Sequence, residues 1–138
     1  MPLYLTERIS DFETIYNPDA VFVYFDSIKG DSTSLEALKI RELNRNRSIG
    51  IIHRKSMSAK GAWTEEEFKD KGVIFLNKGF DVIRADLIKN RLIIFPVRAF
   101  AIVRDSAEKW VTDAFNKKYK EIVNTNPEDR DLFDYYAI

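Results

Sequence analysis

The chain has 138 residues, of which 45% are hydrophobic and 13% aromatic, so it can bury one core and is too apolar to be disordered. Its 22 basic and 22 acidic residues cancel, which excludes a protein-wide field that would gather nucleic acid or an anionic membrane. The absence of cysteine excludes disulfides and thiolate chemistry.

The chain also lacks the patterns of export and membrane insertion. Its first ten residues do not combine a basic segment with an apolar stretch, and its longest apolar runs are far shorter than the roughly 20 residues of a membrane helix. We therefore expect no membrane partner and a cytoplasmic location, in the host cytoplasm if the protein is viral.

The N-terminal part predicts a short edge strand, a brief helix and a buried strand. Leu3 to Leu5 fits the edge strand, and Ser10 to Tyr16 fits the helix, which Pro18 ends because proline disfavours helical backbone before it. Val21 to Phe25 is β-branched and aromatic throughout, which is typical of a strand covered on both faces.

A second helix and a second buried strand follow. Ser32, Thr33 or Ser34 can cap a helix that carries leucines at helical spacing as far as Leu43. Residues 49–52 form a short apolar strand, and the polar connection after it is too long for a tight hairpin.

The middle of the chain predicts a long helix. Thr64–Glu67 is a capping box, and apolar residues recur at helical spacing from there to about Lys89. Gly72 and Gly79 each cost a helix about 1 kcal/mol relative to alanine. They leave open the alternative that residues 73–76 form a strand.

The C-terminal part predicts a further strand, a helix and a tail. Residues 92–95 form the strand, Pro96 closes it, and residues 97–104 form a connecting segment that leads out of it. A second capping box, Asp105–Glu108, opens an amphipathic helix that ends near Val123. The tail, residues 124–138, is acidic and then aromatic, so it either docks on a partner or second copy or packs on its own core.

Buried strands that alternate with amphipathic helices predict one α/β domain over residues 1–138, with a mixed or mostly parallel sheet flanked by helices. Ligands of such folds bind where strands end. The loops expected there are Asp26–Ser34, His53–Lys60 and Pro96–Ser106.

The strongest local signal for a ligand is positive charge. Between residues 39 and 60 only Glu42 is acidic, whereas seven residues are basic: Lys39, Arg41, Arg45, Arg47, Arg54, Lys55 and Lys60. Since arginine forks and lysines bind phosphate, we predict a site for a phosphate-bearing ligand. Its predicted residues are Asp26, Arg54, Lys55, Arg98 and Arg104. The alternative is an ordinary solvated surface whose charges are balanced elsewhere.

Catalytic motifs are missing. The five glycines match neither phosphate-binding loop motif, and a Ser/His/Asp triad would have to be built on His53, the one histidine. If the protein is an enzyme, Asp26 or His53 is its acid or base, although His53 also fits a plain strand-end residue. No metal or cofactor is expected, with a carboxylate Mg²⁺ site around Asp26, Asp31 and Asp105 as the remaining possibility.

Seven short patches follow one another between residues 17 and 96: Asn17-Pro18-Asp19, Val21 to Asp26, Ile40-Arg41-Glu42, Ser48 to Ile51, Arg54 to Met57, Ala62 to Phe68, and Ile94-Phe95-Pro96. Their order resembles an uncharacterised macro-domain-like α/β family of phages and bacteria, with the likeness extending over about residues 17 to 120. The family has Gly-Asp-Asn where this chain has Phe25–Ser27, and a glycine-rich loop where it has Arg98–Ile102. The resemblance therefore implies a kept scaffold whose nucleotide site has been either rebuilt or abandoned.

The leading hypothesis is a non-catalytic binding protein, phage-encoded if the resemblance holds. It would engage a phosphate-bearing small molecule, such as a nucleotide or an ADP-ribose-like compound, or a host protein at the strand-end face. One alternative is an enzyme that acts on a nucleotide or ADP-ribose derivative. Another is a viral structural or assembly protein, whose copies could associate through the tail. Nucleic acid is not an expected partner.

Overall fold

The computed structural model describes residues 3–43 and 45–125. The sequence predicts that the tail docks on a partner, on a second copy or on its own core. The tail residues beyond Thr125 lie outside the described part of the chain. The described residues form a four-stranded sheet in the order β1-β4-β2-β3. All three strand pairs are parallel. The strands are β1 (Leu3–Thr6), β2 (Val21–Ser27), β3 (Ser48–Arg54) and β4 (Ile93–Pro96).

Helices cover both faces of this sheet, which confirms the predicted α/β fold. A 3₁₀ turn, Arg45–Arg47, precedes β3, and a π-helical turn, Phe68–Gly72, joins the third and fourth helices. The helices are α1 (Asp11–Tyr16), α2 (Leu35–Arg41), α3 (Glu65–Glu67), α4 (Val73–Ile88), α5 (Val97–Ser106) and α6 (Lys109–Thr125).

The long helix predicted from Thr64 is confirmed, and the alternative strand at residues 73–76 is wrong. Its glycines permit close packing. A Cβ on Gly79 would lie 3.1 Å from the carbonyl oxygen of Gly50, so the missing side chain lets α4 approach β3. A Cβ on Gly72 would lie 2.9 Å from the ring of Trp63.

The segment after β4 corrects a prediction. Residues 97–106 are not a connecting segment but helix α5, and Asp105 lies in its last turn instead of capping the next helix. Pro96, the last residue of β4, has extended backbone and occupies the N-cap position, so the helix begins at Val97 directly after the strand. Phe100 then anchors α5 in the core, with its ring 5.5 Å from that of Phe95 and 5.7 Å from that of Phe115.

The two sides of the sheet have separate cores. The larger lies under α4, α5 and α6, and the smaller lies under α2 around Phe22, Ile40 and Ile94. Helix α2 follows β2 and packs on one face, whereas α5 follows the neighbouring strand β4 and packs on the other through Phe100. Where neighbouring parallel strands send their helices to opposite faces, a crevice opens at their carboxyl ends, and ligands usually bind there.

Candidate functional site

A groove with a volume of about 510 Å³ occupies this end of the sheet, and we call it the α2–α5 groove. It combines basic, hydroxyl and apolar side chains from the loop after β1, from α2 and the residue before it, and from the first two turns of α5. Its lining residues are Arg8, Ile9, Ser10, Ser34, Leu35, Glu36, Lys39, Arg98, Ala99 and Ile102.

The pairing of β1 with β4 brings two distant arginines to this groove. Thr6 is opposite Pro96 in the parallel register, and the Arg98 N–H donates to the Glu7 carbonyl oxygen at 3.3 Å. Arg8 and Arg98 each follow the last paired residue of their strand by two positions, so both lie at the carboxyl end of the sheet. Residues 90 positions apart in sequence thus become neighbours in the fold.

These two arginines are exposed, and among the described residues neither guanidinium has an ion-pair or hydrogen-bond partner. Lys39 differs, since its ammonium lies 2.9 Å from the carboxylate of Asp11. Exposed, unpaired arginines keep all their donors for a ligand. The groove therefore has two available guanidinium groups and one lysine that is already paired.

Glu36 is the one acid that lines the α2–α5 groove. Its Oε1 accepts from the Ile9 N–H at 3.3 Å, whereas its Oε2 is buried without a hydrogen-bond partner in the described part of the chain. Burial raises the pKa of Glu36, and the Ile9 hydrogen bond and the charges of Arg8 and Lys39 oppose the rise. A bound anion would raise this pKa further and favour uptake of a proton.

Asp26, a predicted site residue, accepts backbone hydrogen bonds at the end of β2 and in the loop after it. It is only 2% exposed, and its Oδ1 accepts from the N–H groups of Ser27 at 2.8 Å and Ser32 at 3.0 Å. Its Oδ2 lies 3.6 Å from Nε of Arg41. This carboxylate therefore holds the loop in place, and it does not line the α2–α5 groove.

Arg54 and Lys55, predicted at the end of β3, hold the segments that follow that strand. The Arg54 guanidinium donates to the carbonyl oxygens of Ser56 and Ser58, both at 2.6 Å. The Lys55 ammonium lies 2.9 Å from the carboxylate of Glu67. Neither residue lines the α2–α5 groove.

Arg104 lies on α5 facing the aromatic core. Its guanidinium is 5.4 Å from the centre of the Phe100 ring and 3.0 Å from the carboxylate of Asp105, and its side chain is mostly buried. Of the five predicted ligand-binding residues, Arg98 alone lines the α2–α5 groove. The sequence reasoning missed Arg8 there, although the rule that ligands bind where strands end would have found it if applied to β1.

His53 lines a separate cavity of about 110 Å³, together with Arg54, Trp63 and Glu108. Burial, assisted by the charge of Arg54, lowers the pKa of His53 to about 4. Its Nε2 has no hydrogen-bond partner in the described part of the chain. The imidazole is therefore neutral and weakly basic at physiological pH, which suits a packing role better than proton transfer.

Within residues 3–43 and 45–125, no cluster of three potential metal ligands occurs. None of the helices in the same ranges is both long enough and apolar enough to cross a membrane.

Comparison of the chain with protein-family models, curated proteins and solved structures found no match. The resemblance to a macro-domain-like family therefore stays a prediction, and the functional argument rests on the geometry of the α2–α5 groove.

Proposed function

We propose that this protein binds a phosphate-bearing small molecule, such as a nucleotide or an ADP-ribose-like compound, in the α2–α5 groove. The observation that carries the proposal is the convergence of Arg8 and Arg98, both without a partner among the described residues, on one groove at the carboxyl end of the sheet. Guanidinium groups bind phosphate through paired, charge-assisted hydrogen bonds.

The rest of the groove supports a ligand with both an anionic and an apolar part. Its volume of about 510 Å³ lies in the usual range for small-molecule sites. Ile9 is buried, and Leu35 and Ile102 are exposed apolar side chains beside the cations. A phosphate placed on the arginines would leave a base or ribose against these residues, whose burial adds free energy of binding.

The groove supports binding better than catalysis. The acid or base predicted for an enzyme was Asp26 or His53, and neither lines the groove. Glu36 is the acidic side chain beside the proposed ligand, but its Oε1 already accepts from the Ile9 N–H. An enzyme acting on a nucleotide or ADP-ribose derivative would have to use Glu36, and this alternative is open to a direct assay.

The first experiment measures thermal stability with and without candidate ligands. ADP-ribose, nucleoside mono-, di- and triphosphates and pyrophosphate form the panel, with adenosine as the control that lacks phosphate. A ligand specific to the native state raises the melting temperature, and the rise should shrink as salt screens the arginines. If no phosphate compound shifts the melting temperature, the proposal is wrong, and the host-protein and assembly alternatives gain weight.

The second experiment assigns the site by calorimetric titration of the best ligand. We expect Arg8→Gln and Arg98→Gln each to weaken binding about tenfold or more, as loss of a charge-assisted hydrogen bond predicts. Arg84→Gln is the matched control, because Arg84 is exposed on α4 and outside the groove. Glu36→Gln should strengthen binding, since it removes a negative charge and keeps an acceptor for Ile9.

Two results would redirect the assignment. Equal weakening by Arg84→Gln would point to non-specific attraction of charge. Turnover of the bound ligand that is lost in Glu36→Gln would favour the enzyme.

In a double-mutant cycle, the effects of the Arg8 and Arg98 substitutions on binding should be strongly non-additive. Those of Arg54 and Arg98, which line different cavities, should be additive.

A further inference from the structure

The cavity beside His53 is lined by two side chains whose ring nitrogens lack a hydrogen-bond partner, and we call it the His53 cavity. Its volume is about 110 Å³, and Arg54, Trp63, Ser106 and Glu108 also line it. Trp63 is only 7% exposed, and its indole N–H and Nε2 of His53 are both buried without a partner among the described residues. Because buried polar groups in proteins rarely lack a partner, these two nitrogens point to a polar occupant of the cavity.

The wall of the His53 cavity also carries one charge of each sign. Arg54 ends β3, whereas Glu108 lies between α5 and α6, so the two charges come from different segments. The Arg54 guanidinium donates to two carbonyl oxygens, and no carboxylate among the described residues pairs with it. The Glu108 carboxylate is exposed and has no ion-pair partner in the same part of the chain. A ligand that carries both charges therefore finds a counterpart for each.

The size of the cavity restricts the ligand. Sites for drug-sized molecules occupy about 300–1,000 Å³, which is well above the volume of this cavity. The His53 cavity has room for roughly four water molecules at about 30 Å³ each, or for one small molecule of the same bulk. A nucleotide is too large for it, so its ligand differs from the one that we propose for the α2–α5 groove.

We propose that the His53 cavity binds a small free amino acid as its zwitterion, with glycine and alanine as the best fits. The ligand carboxylate accepts from the indole N–H of Trp63 and faces the positive charge of Arg54. Burial, assisted by the charge of Arg54, lowers the pKa of His53 to about 4, so its imidazole is neutral. A neutral imidazole that carries its proton on Nε2 donates to the same carboxylate.

The ligand ammonium binds at the junction of α5 and α6. Its main partner is the Glu108 carboxylate, which supplies a charge-assisted hydrogen bond. The Ser106 hydroxyl donates to the carbonyl oxygen of Ile102 at 2.8 Å, and its oxygen can still accept from the ammonium. Acetate lacks the ammonium and methylamine lacks the carboxylate, so each of these compounds makes only half of the contacts.

The first test follows the indole N–H signals by nitrogen-15 NMR during titration with glycine. The chain has two tryptophans, and Trp110 is the internal control. Its indole N–H is also buried without a partner in the described part of the chain, but Trp110 does not line the cavity. We expect glycine and alanine to shift the Trp63 signal more than the Trp110 signal. Leucine should not, because its side chain exceeds the space.

The second test assigns the contacts by calorimetric titration. Glycine should bind about tenfold or more tightly than acetate or methylamine. Glu108→Gln should weaken glycine binding about tenfold and leave acetate binding no weaker, because the charge that it removes faces only the ammonium. Glu66→Gln is the matched control, since Glu66 is an exposed acid on α3 outside the cavity. Trp63→Phe should weaken glycine and acetate alike, whereas Trp110→Phe should weaken neither.

The proposal is overturned if millimolar glycine leaves the Trp63 signal unchanged, since the cavity then holds only water. Acetate binding as tight as that of glycine, or equal weakening by Glu66→Gln and Glu108→Gln, would overturn it too. Both glutamate positions are exposed, so these variants should fold as the parent does even if Trp63→Phe does not. Because Arg98 lies outside the His53 cavity, Arg98→Gln should bind glycine normally, which separates this result from that of the phosphate-ligand experiments.

Discussion

Replacement of Asp26 should destabilise the protein without removing a ligand contact. The buried carboxylate accepts from the backbone N–H groups of Ser27 and Ser32, which are themselves buried, and lies beside Arg41. Asp26→Ala removes the acceptor for both donors, and each buried donor left unsatisfied costs about 1–3 kcal/mol. Asp26→Asn keeps one oxygen as an acceptor and loses mainly the attraction to Arg41.

These contacts set the expected magnitudes. The Arg41 side chain is 29% exposed, so water screens its attraction to Asp26, and we expect Asp26→Asn to cost about 1 kcal/mol. The two lost acceptor contacts bring Asp26→Ala to about 3–5 kcal/mol. For a domain of this size the melting temperature should fall by about 4 °C in the first variant and by about 12–20 °C in the second.

The assay is urea denaturation followed by far-ultraviolet circular dichroism, with the unfolding free energy extrapolated to water. Ligand titration below the melting temperature of each variant supplies the comparison. A variant Asp26→Ala as stable as the parent would refute the structural role of the carboxylate. Full stability of Asp26→Asn with loss of ligand binding would show that Asp26 belongs to the site after all.

Three further changes test other contacts. Burial lowers the pKa of His53 to about 4 in the folded protein. Between about pH 6.5 and pH 4 the unfolded chain therefore binds a proton at His53 that the folded protein does not bind. The unfolding free energy should fall by up to about 3 kcal/mol as the pH drops through that window. Urea titrations at several pH values should show this component in the parent and not in His53→Leu. Gly79→Ala should destabilise the protein by about 1–3 kcal/mol in thermal melts although alanine favours helices, because the new Cβ meets the Gly50 carbonyl oxygen at 3.1 Å; a stabilised variant would contradict this packing. Lys55→Gln should cost less than about 1 kcal/mol, since its ion pair with Glu67 is about 40% exposed, and calorimetry should detect no change in ligand binding.

The strands were predictable because burial on both faces of a strand produces a continuous run of apolar residues in the sequence. Val21–Ser27 and Ile93–Pro96 are buried over almost their whole length, so apolar residues fill both faces of these strands, with Asp26 and Ser27 at the end of β2 as buried polar exceptions. The predicted bounds consequently differ from the observed ones by a residue or two. The long helix was equally visible, because its capping box and apolar spacing act within the chain.

Helix α5 was not predictable in the same way. Asp105–Glu108 has the residues of a capping box, and local chemistry alone would begin a helix there. Contacts with residues distant in sequence instead stabilise a helix over residues 97–106, which ends where the capping box was predicted to begin one. Phe100 of this helix packs in a core with Phe95, Phe115 and Tyr119. The hydroxyl of Ser106 then donates to the carbonyl of Ile102 within that helix.

Of the two groove arginines, Arg98 was predicted and Arg8 was not, because the sequence does not reveal the strand order. The sequence identifies residues at or just after the ends of strands, as Arg54 and Arg98 are, but it does not say which strands are neighbours. Parallel strands lie about 4.8 Å apart. In the order β1-β4-β2-β3 the end of β3 is therefore about 10 Å from the end of β4, whereas the end of β1 is adjacent to it. Arg8 thus joins Arg98 and Arg54 does not, so the same pattern of cations would have built a different groove if β3 instead of β1 had paired with β4.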